Sequence, residues 1–389
     1  MATDTPLLFQ PLTIRGVTLP NRVVLSPLCM YSAKDGLAND WHFSHLSAFA
    51  RGRTGLVFTE ATAVRPEGRI THGCCGLWTD AQAEAYAPIA AFISSTGMIP
   101  AVQLAHAGRK ASVAEPWTGG KPLGPNSPSD AEPWQTVGPS ALPVGDDWPV
   151  PHPLSAAEIG DLVDAFAAAA RRSLAAGFKV AEIHAAHGYL LHSFLSPLTN
   201  QRNDSYGGDR AGRMRFLLEV AEAVRAVWPE ELPLFCRISA IDGPQEGWSI
   251  EDSVALAAEL AARGVDVVDC SSGGIAGPPA YRADYAGKPL QRAPRGPGFQ
   301  VPFAERLRQE AGVKTMAVGV ITDAHQAEEI LQQGRADLIG IGRELMYNPF
   351  WALHAAETLG ADPECALWET QYGWAMVRRS EIAASGGKR

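Results

Sequence analysis

The chain repeats one theme: a short apolar run bounded by turn residues, followed by a longer amphipathic segment. Eight such runs occur, at 23–26, 55–60, 99–104, 180–184, 234–238, 265–270, 315–319 and 338–342. Each is too short for a buried helix, so each is expected as a strand buried on both faces. Helical patterns lie between them at 80–95, 156–176, 210–227, 251–263 and 323–333. Eight strand–helix units imply parallel strands with right-handed crossovers, and eight is the number that closes a barrel. The expected fold is therefore α/β: an eight-stranded parallel (β/α)8 TIM barrel spanning 1–389 as one domain. An open doubly wound sheet is the alternative. It wants a glycine-rich fingerprint after the first strand, where this chain has Ser26-Pro27-Leu28-Cys29-Met30.

Local signals support the helices. Ser249 with Asp252 three residues on, and Thr322-Asp323 ahead of an Ala/Glu-rich run, mark helix starts. Gly264 and Gly334 stand just past helix ends. One stretch breaks the rhythm. Residues 108–153 are rich in Pro, Gly, Ser and Trp without helical periodicity, and a loop of that length inside a compact domain is usually functional. It follows the third strand, at the C-terminal rim, and is expected to cap the site. The tail, 360–389, keeps Trp368, Tyr372 and Trp374 after the barrel is complete. It is expected at a subunit interface, the alternative being that it covers its own barrel.

A formal net charge of −9, with Lys and Arg dispersed, leaves no polyanion-binding stripe, which excludes nucleic acid as a partner. No apolar run is long enough to span a membrane, and the N-terminus lacks the order of a signal peptide. The six cysteines are scattered without CxxC spacing, so neither a zinc or iron–sulfur site nor a disulfide framework is expected. A reducing cytoplasm fits.

In barrels the reactive groups cluster at the strand C-termini. The fourth run ends in His184-Ala185-Ala186-His187-Gly188-Tyr189. Two imidazoles converging there can donate to one oxygen and polarise a carbonyl, worth about 3 kcal/mol each. Tyr189 can deliver a proton to the carbon that becomes basic. The alternative, a metal-ligand pair, lacks an evident third ligand at the neighbouring strand ends. Glycines close the last two runs, Gly319 and Gly342, with Arg343 directly after; barrels build a phosphate cradle at those two strands, and an arginine binds phosphate bidentately. Arg237, inside the apolar fifth run, needs an anionic partner, either a carboxylate or an electron-rich ring. Gln103 offers a donor and an acceptor to the amide-like edge of such a ring. Cys29 is either simple packing or a tuner of redox potential.

These residues resemble the Old Yellow Enzyme flavoproteins, in particular the thermophilic-like or xenobiotic-reductase-like subclass. The resemblance runs from Leu8-Phe9-Gln10-Pro11-Leu12 to Gly342-Arg343 and rests on Asn21-Arg22, Cys29 with Tyr31, Ala61, the segment Gln103 to Lys110, the His184-to-Tyr189 motif and Asn200 to Gly208. It implies FMN as cofactor and NADPH or NADH as reductant. It also implies reduction of activated C=C bonds (enones, maleimides, with nitro compounds as a further class) by ping-pong hydride transfer through the flavin. Carried over, Ser26, Pro27, Cys29, Ala61, Gln103 and Arg237 contact the flavin, while Gly319, Gly342 and Arg343 hold its phosphate. His184 and His187 take the substrate carbonyl, Tyr31 and Tyr189 line the same pocket, and Tyr189 donates the proton. No metal is implied. A homodimer or homotetramer is.

Two departures are visible. Relatives place an arginine soon after a C-terminal Gln-Tyr, reaching a neighbouring subunit's site; here Gln371-Tyr372 is followed by Gly373-Trp374. Another branch carries a substrate-shaping tryptophan after strand six, where this chain has Arg295. Two other readings compete. A dienoyl-CoA-reductase-like barrel would carry a cysteine cluster and an extra domain. A non-catalytic flavin-binding barrel would not turn over NADPH with an enone.

Overall fold

The computed structural model describes residues 5–125, 127, 129–244, 246–275 and 296–384. Eight strands form a closed, all-parallel barrel: β1 (Val23–Leu25), β2 (Leu56–Ala63), β3 (Ile99–Ala105), β4 (Val180–Ala185), β5 (Leu234–Ser239), β6 (Val267–Ser271), β7 (Lys314–Ala317) and β8 (Leu338–Ile341). Each pairs with the next, and β8 returns to β1 through Ile339 beside Val23. Every residue of β2, β4, β5 and β6 is buried, as a sheet covered on one face by helices and on the other by its own interior requires.

The helices Asp80–Ser95, Ala156–Ala175, Arg210–Val227, Ile250–Ala262 and Ala324–Gln332 lie within one residue of the periodic segments. Ser249 and Asp252 form a reciprocal capping box. At the last of these helices Asp323, not Thr322, is the cap, accepting the Gln326 N–H at 2.9 Å. Register carries the functional consequence. Gln103 lies beside Glu182, His184 beside Arg237, and Arg237 beside Asp269. Laterally paired residues of parallel strands share a face, so polar side chains form two successive rows, Gln103 with Glu182 across β3 and β4 and His184 with Arg237 and Asp269 across β4 to β6.

Several elements are additions to the sequence reading. β2 extends to Ala63, with a register shift between Phe58 and Ala61, so Glu60 and Ala61 lie inside the strand instead of at its end. A hairpin of Leu12–Ile14 and Val17–Leu19 precedes the barrel. Its turn docks where β5 and β6 begin: the Gly16 N–H donates to Glu231 O at 2.9 Å, and Arg15 Nε lies 2.6 Å from Asp266 Oδ1. Three-residue strands are too short for a periodic signal. The tail contains the helix Thr370–Ala384, also unanticipated. Arg51 holds it to the barrel, donating to the Tyr372 hydroxyl at 2.7 Å and pairing with Glu369 at 3.0 Å, while Trp368 stacks on Phe350. Trp368 and Tyr372 thus contact their own barrel, Tyr372 remaining 40% exposed, and Trp374 is 71% exposed.

Segment 108–153 is not structureless. It holds two single-turn 3-10 helices, Gly108–Lys110 and Pro116–Thr118, and a two-residue pairing of Val137–Gly138 with His152–Pro153. Among the described residues no helix is long and apolar enough to cross a membrane. Arg295 lies outside the described residues.

Candidate active site

The C-terminal rim of the barrel opens on a cavity of about 560 Å³, whose lining includes Ser26, Pro27, His187, Arg237, Gly319, Gly342 and Arg343. These come from β1, β4, β5 and the ends of β7 and β8, so the fold gathers seven of the sequence candidates into one space. Gly319 has φ +120°, and a Cβ there would lie 3.0 Å from the Phe299 ring and 3.2 Å from the Gln300 amide. Any larger residue would be strained and would crowd the cavity floor. Ser26 Oγ is buried without a hydrogen-bond partner, while the Arg343 side chain is exposed.

Of the histidine motif, His187 lines this cavity, with His184 in contact with both His187 and Tyr189. His184 is 3% exposed, and its Nδ1 accepts the Ala186 N–H at 3.3 Å, which places the ring proton on Nε2. That Nε2 faces His187 Nδ1 at 3.4 Å, and His187 Nε2 lies 2.6 Å from Ser271 Oγ. Burial first, then the Arg237 charge, hold both imidazoles well below the usual histidine range. Both are therefore neutral at pH 7, each carrying one N–H. Tyr189 presents its ring edge-on to His184 at 5.1 Å between centroids.

His187 sits at φ +62° and Gly188 at φ +77°, a left-handed pair that needs support from outside the turn. Ser239 Oγ accepts the His187 N–H at 2.9 Å, and Lys110 Nζ donates to the carbonyls of His187 and Gly274 at 2.7 and 2.6 Å. The same ammonium lies 5.7 Å from the Tyr189 ring centroid. A Cβ on Gly188 would meet Gly274 O at 2.3 Å, so only glycine fits there.

Arg237 found a carboxylate. Its Nε lies 3.0 Å from Asp269 Oδ2. Gln103 does not line the cavity; its amide donates to Glu182 Oε1 at 2.7 Å in the layer below. Burial, then the Asp269 charge, push the Glu182 carboxyl well above the carboxylate range. Burial raises Asp269 to about 6, with Arg237 pulling the other way. The sequence reading missed Glu182 and Asp269. The signal that flagged Arg237, a charge inside an apolar strand, was present in both β4 and β6.

Cys29, Tyr31 and Tyr189 pack into a small apolar cluster with Ile70, Cys74, Ala107, Ala111 and Val113, joined by Trp134 and Trp148 of the 108–153 segment. Trp117 of that segment meets Tyr31 edge-on at 6.1 Å. The Cys29 thiol reaches the Ala61 backbone and the Tyr31 hydroxyl, and burial raises the thiol well above its ordinary value. A neutral thiol in this setting is a weak nucleophile.

His42, Glu60 and Cys75, all buried, bring three ligand-type atoms within 4.8 Å of one another. The Asn39 N–H donates to His42 Nδ1 at 3.1 Å within a helix capping box, which leaves the proton on Nε2, 3.1 Å from Glu60 Oε1. A protonated ring nitrogen is a hydrogen-bond donor, not a ligand.

Residues 7–362 match the family model described as the NADH:flavin oxidoreductase / NADH oxidase family. The chain is 44% identical over 370 residues to an NADPH dehydrogenase of Geobacillus thermodenitrificans (strain NG80-2), covering 95% of this chain and 98% of that protein. It is 42% identical over 369 residues to an NADPH dehydrogenase of Bacillus subtilis (strain 168), covering 94% and 99%. Among solved structures, morphinone reductase superposes with a TM-score of 0.72 at 27% identity, covering 92% of this chain and 91% of that one. The old yellow enzyme homologue from Zymomonas mobilis gives 0.72 and 27%, covering 92% and 93%.

Proposed function

The chain belongs to the NADH:flavin oxidoreductase / NADH oxidase family, as a member of its Old Yellow Enzyme group of FMN-dependent NADPH dehydrogenases, and from that premise we propose that it reduces activated C=C bonds. The observation that carries this reading is the neutral pair His184 and His187, in contact at 3.4 Å, of which His187 lines the cavity together with Arg237.

The residues present fit FMN. The Gly319 and Gly342 backbone leaves room for a phosphate beside Arg343, Ser26 Oγ lacks a partner, and Arg237 supplies a positive charge to an electron-rich ring edge. When bound, FMN supplies two-electron redox chemistry that couples oxidation of NAD(P)H to reduction of the alkene. The protein's part is to bind, polarise and protonate. On substrate binding the His184 Nε2–H would turn from His187 Nδ1, and the His187 Nε2–H from Ser271 Oγ, to hold the carbonyl of an enone or imide, or a nitro oxygen, and withdraw charge from the double bond. Tyr189, whose phenol burial keeps protonated, gives its proton to the α-carbon. Tyr31 packs in one cluster with Tyr189, and Trp117, Trp134 and Trp148 of 108–153 pack against that cluster, which supports the capping role we assign to the segment. Cys29, four residues past the end of β1, and Ala61 of β2 would contact the ring, while Gln103 would act on it from the layer below through Glu182.

Steady-state NADPH consumption with 2-cyclohexenone, N-ethylmaleimide and a nitroalkene, with the saturated products identified, tests the proposal. Oxidation of NADPH with none of these products would leave only a dehydrogenase. The exposed Trp374 face is the proposed contact of a homodimer or homotetramer, and a monodisperse monomer in sedimentation contradicts it.

A further inference from the structure

We propose that His192 and Asp242 form a positioning dyad that fixes the turn presenting His187 and Tyr189. Both side chains are fully buried, and neither lines the cavity. His192 lies in the short helix Leu190–Leu195 that follows the turn, and Asp242 in the loop after β5. His192 Nδ1 accepts the Gly188 N–H at 2.8 Å. A ring nitrogen that accepts a backbone N–H carries no proton, so the proton sits on Nε2. That Nε2 faces Asp242 Oδ1 at 2.8 Å. Asp242 is held in turn, its Oδ2 accepting the Ser196 hydroxyl and the Trp248 N–H, the latter at 2.7 Å.

The chain of contacts therefore runs from the β5 loop through Asp242 and His192 to the backbone of Gly188. It ends between two residues with separate jobs. His187 and Gly188 are both left-handed, a conformation a histidine adopts only where its surroundings impose it. An unaccepted Gly188 N–H would be a buried orphan, and the turn would relax to find another partner. The dyad selects one tautomer and one turn geometry, and so sets where the His187 imidazole and the Tyr189 phenol point. Neither His192 nor Asp242 touches substrate or cofactor. The proposal rests on the reading that the His184–His187 pair binds the substrate oxygen.

Two isosteric halves of the imidazole separate positioning from packing. His192→Asn keeps an acceptor near the Nδ1 position and loses the reach to Asp242. His192→Gln keeps a donor near Nε2 and loses the acceptor for Gly188. Titration of the flavin-loaded protein with 4-chlorophenol, followed by its charge-transfer absorbance, reads the turn without turnover. The expected result is a Kd raised roughly tenfold or more in His192→Gln and by a smaller but measurable factor, about threefold, in His192→Asn, both retaining flavin. Equal binding by the two variants overturns the proposal. Nitrogen NMR of the parent protein gives a test that needs no variant: His192 must carry its proton on Nε2, and a proton on Nδ1 overturns the dyad even if a variant fails to fold. His187→Ala is the separate control. Unchanged phenol binding in that variant refutes the substrate-oxygen reading, while the tautomer still decides the dyad.

Discussion

Arg237 Nε lies 3.0 Å from Asp269 Oδ2, on adjacent strands whose register sets the two residues side by side, with Arg237 lining the cavity and Asp269 fully buried beside it. The pair divides the labour of a buried charge: Asp269 keeps the guanidinium in place, and the guanidinium lines the cavity in which we propose the flavin binds. Arg237→Ala is expected to lower the midpoint potential of the bound flavin by about 30 mV or more, where about 30 mV is about 1.4 kcal/mol for a two-electron couple. Asp269→Asn, which leaves Arg237 uncompensated, is expected to raise it. Spectroelectrochemical titration of both variants checks the signs, and an unmoved potential in Arg237→Ala removes the charge-stabilising role.

Arg343→Ala should weaken flavin retention while leaving the fold intact, because the side chain is exposed and its loss opens no core cavity. A charge-assisted bidentate phosphate contact would be lost. Ultrafiltration followed by absorbance of the retained flavin measures this. The released flavin should be FMN, and FAD would mean that the rim at Gly319 and Gly342 is not a terminal phosphate site.

Tyr189→Phe should slow alkene reduction by about 10²- to 10⁴-fold, the usual loss for a positioned general acid, and leave flavin reduction by NADPH nearly unchanged. The half-reactions differ in their needs: departure of hydride from the nicotinamide asks for no protein acid. Tyr31 is the competing donor, held by the same apolar cluster. Stopped-flow comparison of Tyr189→Phe and Tyr31→Phe assigns the proton, and a drop confined to Tyr31→Phe moves the role there.

Lys110 gives the site a pH dependence. Burial, then the neighbouring Arg109, bring its amine down to about 7. Its charge lies over the Tyr189 ring and favours loss of the phenol proton. Alkene reduction should therefore slow as pH rises through about 7, and Lys110→Met should flatten that limb. For stability the sign runs the other way. A folded-state value below the ordinary 10.5 makes the folded protein bind this proton less tightly than the unfolded chain. Stability from this group is full above about 10.5 and is lost as pH falls towards about 7. Thermal melts of Lys110→Met against the parent should show the variant gaining on the parent at pH 6 relative to pH 10.

Much of this was legible in the sequence because a barrel writes its strands as separate apolar runs. The phosphate side was readable because Gly319, Gly342 and Arg343 follow the last two runs. His184, His187 and Tyr189 were readable because they fall within six residues of one another. What stayed hidden depends on register. Glu182 meets Gln103, and Asp269 meets Arg237, only once β3 is set beside β4 and β5 beside β6. Lys110 meets Tyr189 only through the folded 108–153 segment. The N-terminal hairpin and the tail helix were missed for a different reason. The strands of the hairpin are three residues each, and the helix leaves Trp374 exposed instead of burying a clean apolar stripe.

The central claim is that the histidine-lined cavity passes electrons to an alkene, and anaerobic reoxidation of the NADPH-reduced protein by 2-cyclohexenone tests it most directly. The account predicts that the flavin absorbance returns with one cyclohexanone formed per flavin, and that His184→Ala and His187→Ala are each slower by about 10²-fold or more, as the loss of one oxyanion donor costs. A flavin that stays reduced in the enone and reoxidises only when oxygen is admitted would contradict it.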